Sequence, residues 1–193
     1  MNIFEQTVQY KDGRYIVELP FRKLWKELSN NVCAARQRFR NLWRRLRFDK
    51  ELYSQYQNII RDYLDQGIIE EVEISESNFD RSLFYLPHQA IKKEGRVTTS
   101  TRIVFDAASH LVDELSLNDC LWPGPNLYPN LFKILIYFRL SRVAISSDIR
   151  QAFLQIYIAD KQKDTVRFLW TDSDPRLGSK PKLRIYCFKR LLF

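Results

Sequence analysis

Glycine is scarce here, with five in 193 residues. No G-x-G-x-x-G or P-loop run occurs in which backbone amides could cradle a phosphate, so dinucleotide-binding and P-loop chemistry are set aside. Cysteine is scarcer still. Cys33, Cys120 and Cys187 are odd in number and far apart, no C-x-x-C pair occurs, and only His88 and His110 supply imidazole. Neither a disulfide framework nor a zinc site is indicated. Long apolar runs are missing too: the richest, Leu131 to Phe138, is broken by Lys133, and the opening MNIFEQTVQYKDG has no signal-peptide core. The expectation is an intracellular protein without a membrane span.

What is present is enough to fold. Hydrophobic residues make up 45% and aromatics 14%, which suits one sizeable domain or two small lobes. The formal charge of +8 is uneven. Residues 36–50 carry seven basic groups and one acidic, net +6; residues 51–80 carry one basic and eight acidic, net −7; residues 81–193 carry eighteen basic and ten acidic, net +8. Positive segments on either side of an acidic one suit a polyanionic partner.

Taken in order, Tyr10-Lys-Asp-Gly13 is a turn signal, and Tyr15, Val17 and Leu19 then alternate as in a strand. Arg36, Arg38, Arg40, Arg44, Arg45 and Arg47 are interleaved with Phe39, Leu42, Trp43 and Leu46 at helical spacing. This run reads either as a tracker of nucleic-acid backbone or as an amphipathic helix with a solvated basic face. A second helix is expected from Asp49 as N-cap to Gly67 as stop, with Leu52, Tyr56, Ile59 or Ile60, and Tyr63 along one face. Residues 68–74 then read as a strand and 75–80 as a polar loop. Residues 89–109 predict a β-hairpin of apolar strand, basic glycine-containing tip and apolar strand, with Lys92, Lys93, Arg96 and Arg102 near the tip. Pro129 to Leu140 predicts a helix with Leu131, Ile134, Leu135 and Phe138 on one face. Thr165–Trp170 and Leu183–Cys187 predict a second hairpin around a turn-rich connection.

One stretch organises the rest: Arg142-Val-Ala-Ile-Ser-Ser-Asp148-Ile-Arg-Gln-Ala-Phe153-Leu-Gln-Ile156. Val143 and Ile145 alternate as in a strand, which then delivers a lone carboxylate, Asp148, with the aromatic Phe153 five residues on. A carboxylate at the tip of a buried strand calls for a cation or a donor. The ordinary alternative is an aspartate capping a helix that starts at Ile149. This stretch resembles the first catalytic motif of reverse transcriptases. Upstream, Arg102-Ile-Val-Phe-Asp106-Ala-Ala-Ser, Leu115-Ser-Leu-Asn-Asp119 and Gly124-Pro-Asn-Leu127 are similar to the signature of Pao/BEL-type LTR retrotransposons. The resemblance runs from about Tyr10 onward and is strongest from Tyr85 to Trp170.

The resemblance implies an α+β fold, part of a right-hand polymerase with fingers and the first part of the palm. The later palm hairpin, thumb and RNase H would be lacking. Residues 1–48 would be a basic lead-in and 49–193 a partial reverse-transcriptase domain. Within it, 49–112 would be fingers, 113–158 the start of the palm and 159–193 a second fingers hairpin. Asp148 and the carbonyl of Ile149 would help hold Mg2+ or Mn2+, and Phe153 would gate against a 2′-hydroxyl. Arg102 and Lys93 would face the triphosphate, with Lys92 and Arg96 as alternatives to Lys93. Asp106 would order the template-side backbone, or simply cap a turn. Partners would be an RNA or DNA template–primer, deoxynucleotides and the remainder of a polyprotein. The family also requires two carboxylates in an aromatic-x-Asp-Asp motif, which this sequence does not contain. The chain is therefore expected to be a polymerase fragment, inactive alone. A non-catalytic nucleic-acid-binding remnant or a relic reading frame is the alternative.

Overall fold

The structure is a computed structural model and describes residues 6–22, 27–72, 83–92, 101–124, 126, 128–178 and 180–192. Asp12 and Gly13 both take positive φ, 52° and 75°, and make the two-residue turn between β1 (Gln9–Lys11) and β2 (Arg14–Val17). That backbone matches the right-handed twist of paired strands, which is why the Asp-Gly pair reads as a turn. β2 also runs parallel to a short strand, β6 (Tyr157–Ile158), far along the chain.

The arginine-rich run is helix α1 (Val32–Phe48), which buries Ala35, Phe39, Leu42 and Leu46 at spacings of four, three and four. α2 (Lys50–Asp65) follows after a single residue. Asp49 is its N-cap as expected, with Oδ1 accepting the Leu52 N–H at 2.8 Å, and Gly67 takes φ 61° just past its end. Of the two isoleucines left open by the sequence, Ile60 is in the core.

A three-stranded sheet packs against these helices in the order β3 (Ile69–Glu71), β8 (Arg184–Phe188), β7 (Arg167–Trp170), antiparallel throughout. β7 and β8 are the expected second hairpin. Phe168, Leu169 and Trp170 are all buried, so β7 is covered on both faces. The other hairpin, β4 (His88–Lys92) with β5 (Thr101–Phe105), pairs His88 with Phe105 and Ile91 with Arg102. Its tip, with Lys93 and Arg96, and the polar loop at 75–80 lie outside the described residues.

These elements meet at His88. Its Nε2 lies 2.7 Å from the carbonyl oxygen of Leu169, which can only accept, so Nε2 carries the proton and Nδ1 accepts from the Tyr56 hydroxyl. Around the ring stand Phe39, Tyr56, Phe105, Phe168 and Trp170, with Tyr56 and Trp170 stacked at 4.7 Å between ring centroids. Burial disfavours the imidazolium and pushes the pKa down to about 4, against the smaller opposing effect of the Leu169 carbonyl. Among buried polar groups Asn31 has a similar tying role. Its Nδ2 donates to the carbonyls of Tyr85 and Ser109 at 3.2 and 3.1 Å.

Two expectations are corrected. α3 (Leu131–Leu140) forms, with Asn130 as N-cap and Pro129 left outside, but it buries no residue. Residues 142–148 do not form a strand: their backbone is irregular and exposed. The β-propensity of Val143 and Ile145 is insufficient without a neighbouring strand to take up the backbone hydrogen bonds, and no strand pairs with them among the described residues. The described structure is mixed α and β, as expected of the fold class.

Because the unfolded chain protonates His88 near pH 6.5 and the folded chain near 4, the unfolded state holds more protons between those values. Stability should be fully present above pH 6.5 and fall as pH drops towards 4, by on the order of 3 kcal/mol from this group. Urea titrations across that range should show the decline. An imidazole NMR signal for His88 that titrates near 6.5 would contradict the buried neutral ring.

Candidate nucleic-acid interface

The arginines of α1 fall on two flanks of the buried stripe. Residues 3.6 to a turn place Arg38, Asn41 and Arg45 together on one side and Arg36, Arg40, Arg44 and Arg47 on the other. All six arginines are exposed, the helix holds no acidic residue, and none of the six forms an ion pair among the described residues. Several basic side chains elsewhere are paired. Arg167 pairs with Asp164 at 2.6 Å, Arg184 with Glu71 at 2.8 Å, Lys189 with Glu70 at 3.2 Å and Lys161 with Glu18 at 2.8 Å. α1 thus presents six exposed arginines with no ion pair among the described residues.

The Asp148 segment lies on a different part of the chain, beside α3. Asp148 is exposed and makes no hydrogen bond among the described residues; no helix starts at Ile149, so it caps none. Ile149 is 70% exposed and Phe153, at the start of a single 3-10 turn (Phe153–Gln155), is 54% exposed. Phe153 is therefore not a core residue of this structure. What fixes this segment is a residue that the sequence did not single out. Arg190 is buried, donates from Nη1 to the Leu154 carbonyl at 3.2 Å and from Nη2 to the Gln66 carbonyl at 2.8 Å, and lies 5.3 Å from the Tyr157 ring centroid. It ties the turn after Phe153 to the end of α2. Only its apolar neighbours Phe188, Leu191 and Leu192 hinted at burial, and its partners are far away in sequence.

The remaining expected residues separate further. Arg102 is exposed on β5. Asp106 Oδ1 accepts the Ala108 N–H at 3.1 Å, so the turn-capping reading describes it. Lys93 lies outside the described residues.

The residues present do not fit a two-ion site by themselves. Asp148 is a single carboxylate, and among the described residues no group of three or more His, Cys, Asp or Glu side chains could hold a metal. Two divalent cations held about 3.5–4 Å apart require several carboxylates to offset their charge.

Next to this segment in the chain, α3 is apolar except for Lys133 and Arg139. Leu131, Phe132, Leu135, Tyr137 and Leu140 are each more than half exposed. A helix of that composition belongs inside a structure, surrounded by other chain. Comparison with protein-family models gives no match, and comparison with curated proteins likewise gives none.

If α3 makes no contribution to the core, Leu131→Glu/Leu135→Glu should leave the urea midpoint within about 0.5 kcal/mol of the parent. Leu46→Ala should cost about 2–5 kcal/mol by the same measurement. The double variant should also bind less of a dye that reports exposed apolar surface. A large loss of stability would mean that α3 packs on this chain after all.

Proposed function

We propose that these residues form part of an RNA-directed DNA polymerase, the fingers and first part of the palm of a reverse transcriptase similar to those of Pao/BEL-type LTR retrotransposons. The observation that carries the reading is the state of residues 148–153. An aspartate with no hydrogen-bond partner and a half-exposed phenylalanine sit beside an unburied apolar helix. The ordinary explanations of that pair, a helix cap and a core aromatic, describe neither residue. The β4–β5 hairpin lends support, since it carries the exposed Arg102 on the strand that returns from its tip.

In this reading Asp148 and the Ile149 carbonyl would help hold Mg2+ or Mn2+ in the longer protein, Phe153 would lie under the sugar of the incoming deoxynucleotide, and Arg102 with Lys93 would meet its triphosphate. The partners are an RNA or DNA template–primer and the remainder of the polyprotein. That remainder would bring the further carboxylates that the ion pair needs, and would cover α3. Two-ion chemistry would accelerate in-line phosphoryl transfer in the longer protein, and no step of it is assigned to these residues alone.

The test joins residues 1–193 to a palm that carries the paired aspartates, from a related element. Primer extension in magnesium should appear and be abolished by Asp148→Asn, whereas the 193-residue chain alone should extend nothing. Phe153→Val should raise ribonucleotide over deoxynucleotide use by at least about tenfold, or roughly 1.4 kcal/mol, because a planar ring excludes the 2′-hydroxyl by overlap. Equal loss on both substrates would remove Phe153 from the gate. Extension by the joined protein that survives Asp148→Asn would remove Asp148 from the site.

A further inference from the structure

The flank of α1 that carries Arg38, Asn41 and Arg45 does not face open solvent alone. It forms one wall of a cleft of about 400 Å3 whose other wall is the base of the β4–β5 hairpin and the turn after it. The floor is apolar, made by Leu42, Val104, Phe105 and Ala107. Asp106, whose carboxylate accepts the Ala108 N–H, lines the cleft as well, and with it stand five further polar side chains, Arg38, Asn41, Arg45, Gln89 and Asn118. None of these five side chains makes a hydrogen bond or ion pair among the described residues. An apolar floor under a few converging unspent polar groups is the usual make-up of a ligand cleft, and this volume lies within the range such clefts span.

We infer that this cleft holds one nucleotide of a single-stranded nucleic acid, its base on the apolar floor and its two flanking phosphates on Arg38 and Arg45. The two arginines are seven residues apart, so their backbones stand about 10.5 Å apart along the helix axis. That separation offers one guanidinium to the phosphate on each side of a nucleotide. A mononucleotide has phosphate on one side only and would leave one arginine idle. Duplex is excluded by shape, since its bases are stacked and paired and cannot enter a cleft singly. The amides of Asn41, Gln89 and Asn118 each carry both donors and an acceptor, which suits the mixed edge of an unpaired base. Arg36 and Arg47 lie on the opposite flank and do not line the cleft.

The inference depends on the polymerase reading only for the expectation of a nucleic-acid partner. A chain that binds a strand here and never extends a primer when joined to a palm would overturn that reading and leave this one standing.

The experiment uses the 193-residue chain and a fluorescently labelled oligo(dT), with affinity read by anisotropy over a salt series. Arg38→Gln/Arg45→Gln should weaken binding at least about tenfold and reduce the slope of log affinity against log salt by about 1.4, two phosphates at roughly 0.7 each. Arg36→Gln/Arg47→Gln removes the same charge outside the cleft and should weaken binding less than about threefold. Melting temperatures of both variants, altered only at exposed positions, establish that they are folded. On adding oligo(dT), the side-chain amide NMR signals of Asn41, Gln89 and Asn118 should shift. Equal losses in the two double variants would overturn the proposal in favour of diffuse attraction to the whole helix. Amide signals that stay still while the strand binds would also overturn it. So would dTMP or a duplex competing as well as the single strand, nucleotide for nucleotide.

Discussion

A single neutral imidazole holds the described structure in register. His88 gives its one proton to the Leu169 carbonyl and takes one from Tyr56, so β4, β7 and α2 are joined through two atoms of the same ring. Each partner constrains the other. If Tyr56 lost its hydroxyl, Nδ1 would be a buried acceptor without a donor; if β7 shifted by one residue, the pleat would turn the Leu169 carbonyl away. Burial within the aromatic shell disfavours the imidazolium, which is why the ring remains uncharged to about pH 4. The consequence reaches the surface. Because His88 opens β4 and pairs with Phe105 at the end of β5, fixing this ring also fixes the hairpin base that faces α1.

The molecule is uneven in how far its interactions are satisfied. Around His88 the helices and both hairpins share a continuous apolar core that includes Phe39, Tyr56, Phe84, Phe168 and Phe188. Residues 131–153 take no part in it. That contrast is chemical as well as geometric: no acidic residue occurs between Asp119 and Asp148, while Lys133, Arg139 and Arg142 do. The segment is apolar and cationic, and Arg190 and the β2–β6 pairing fasten only its far end. A surface of this kind is costly in water and makes sense when other chain lies against it.

How much of this was legible depended on the range of the interaction. α2 could be read because cap, stripe and stop lie within 19 residues of one another, from Asp49 to Gly67. The two longer hairpins were equally local, each a pair of apolar runs around a polar tip. The failures are non-local. Nothing between Arg142 and Asp148 indicates whether a partner strand exists, and the apolar face of α3 says that it wants burial without saying where. Similarly, β2 and β6 pair across some 140 residues, and Arg190 reaches Gln66 and Leu154. The candidate site divides in the same way. The α1 arginines were visible as a run, but the cleft exists only because a turn around residues 106–108 and Asn118 comes to lie beside them.

The arginines of α1 also act on one another. Arg36, Arg40, Arg44 and Arg47 follow at intervals of four, four and three, so each is adjacent to the next on the helix surface. Neighbouring like charges at these spacings oppose the helix by about 0.2–0.5 kcal/mol per pair, and only those in the last turn gain from the dipole. Self-repulsion of this kind is relieved by counterions. Added salt should therefore firm the helix while loosening its hold on any polyanion, so the fold and the attraction respond to ionic strength in opposite directions. A bound polyanion removes the conflict, because it supplies the screening itself.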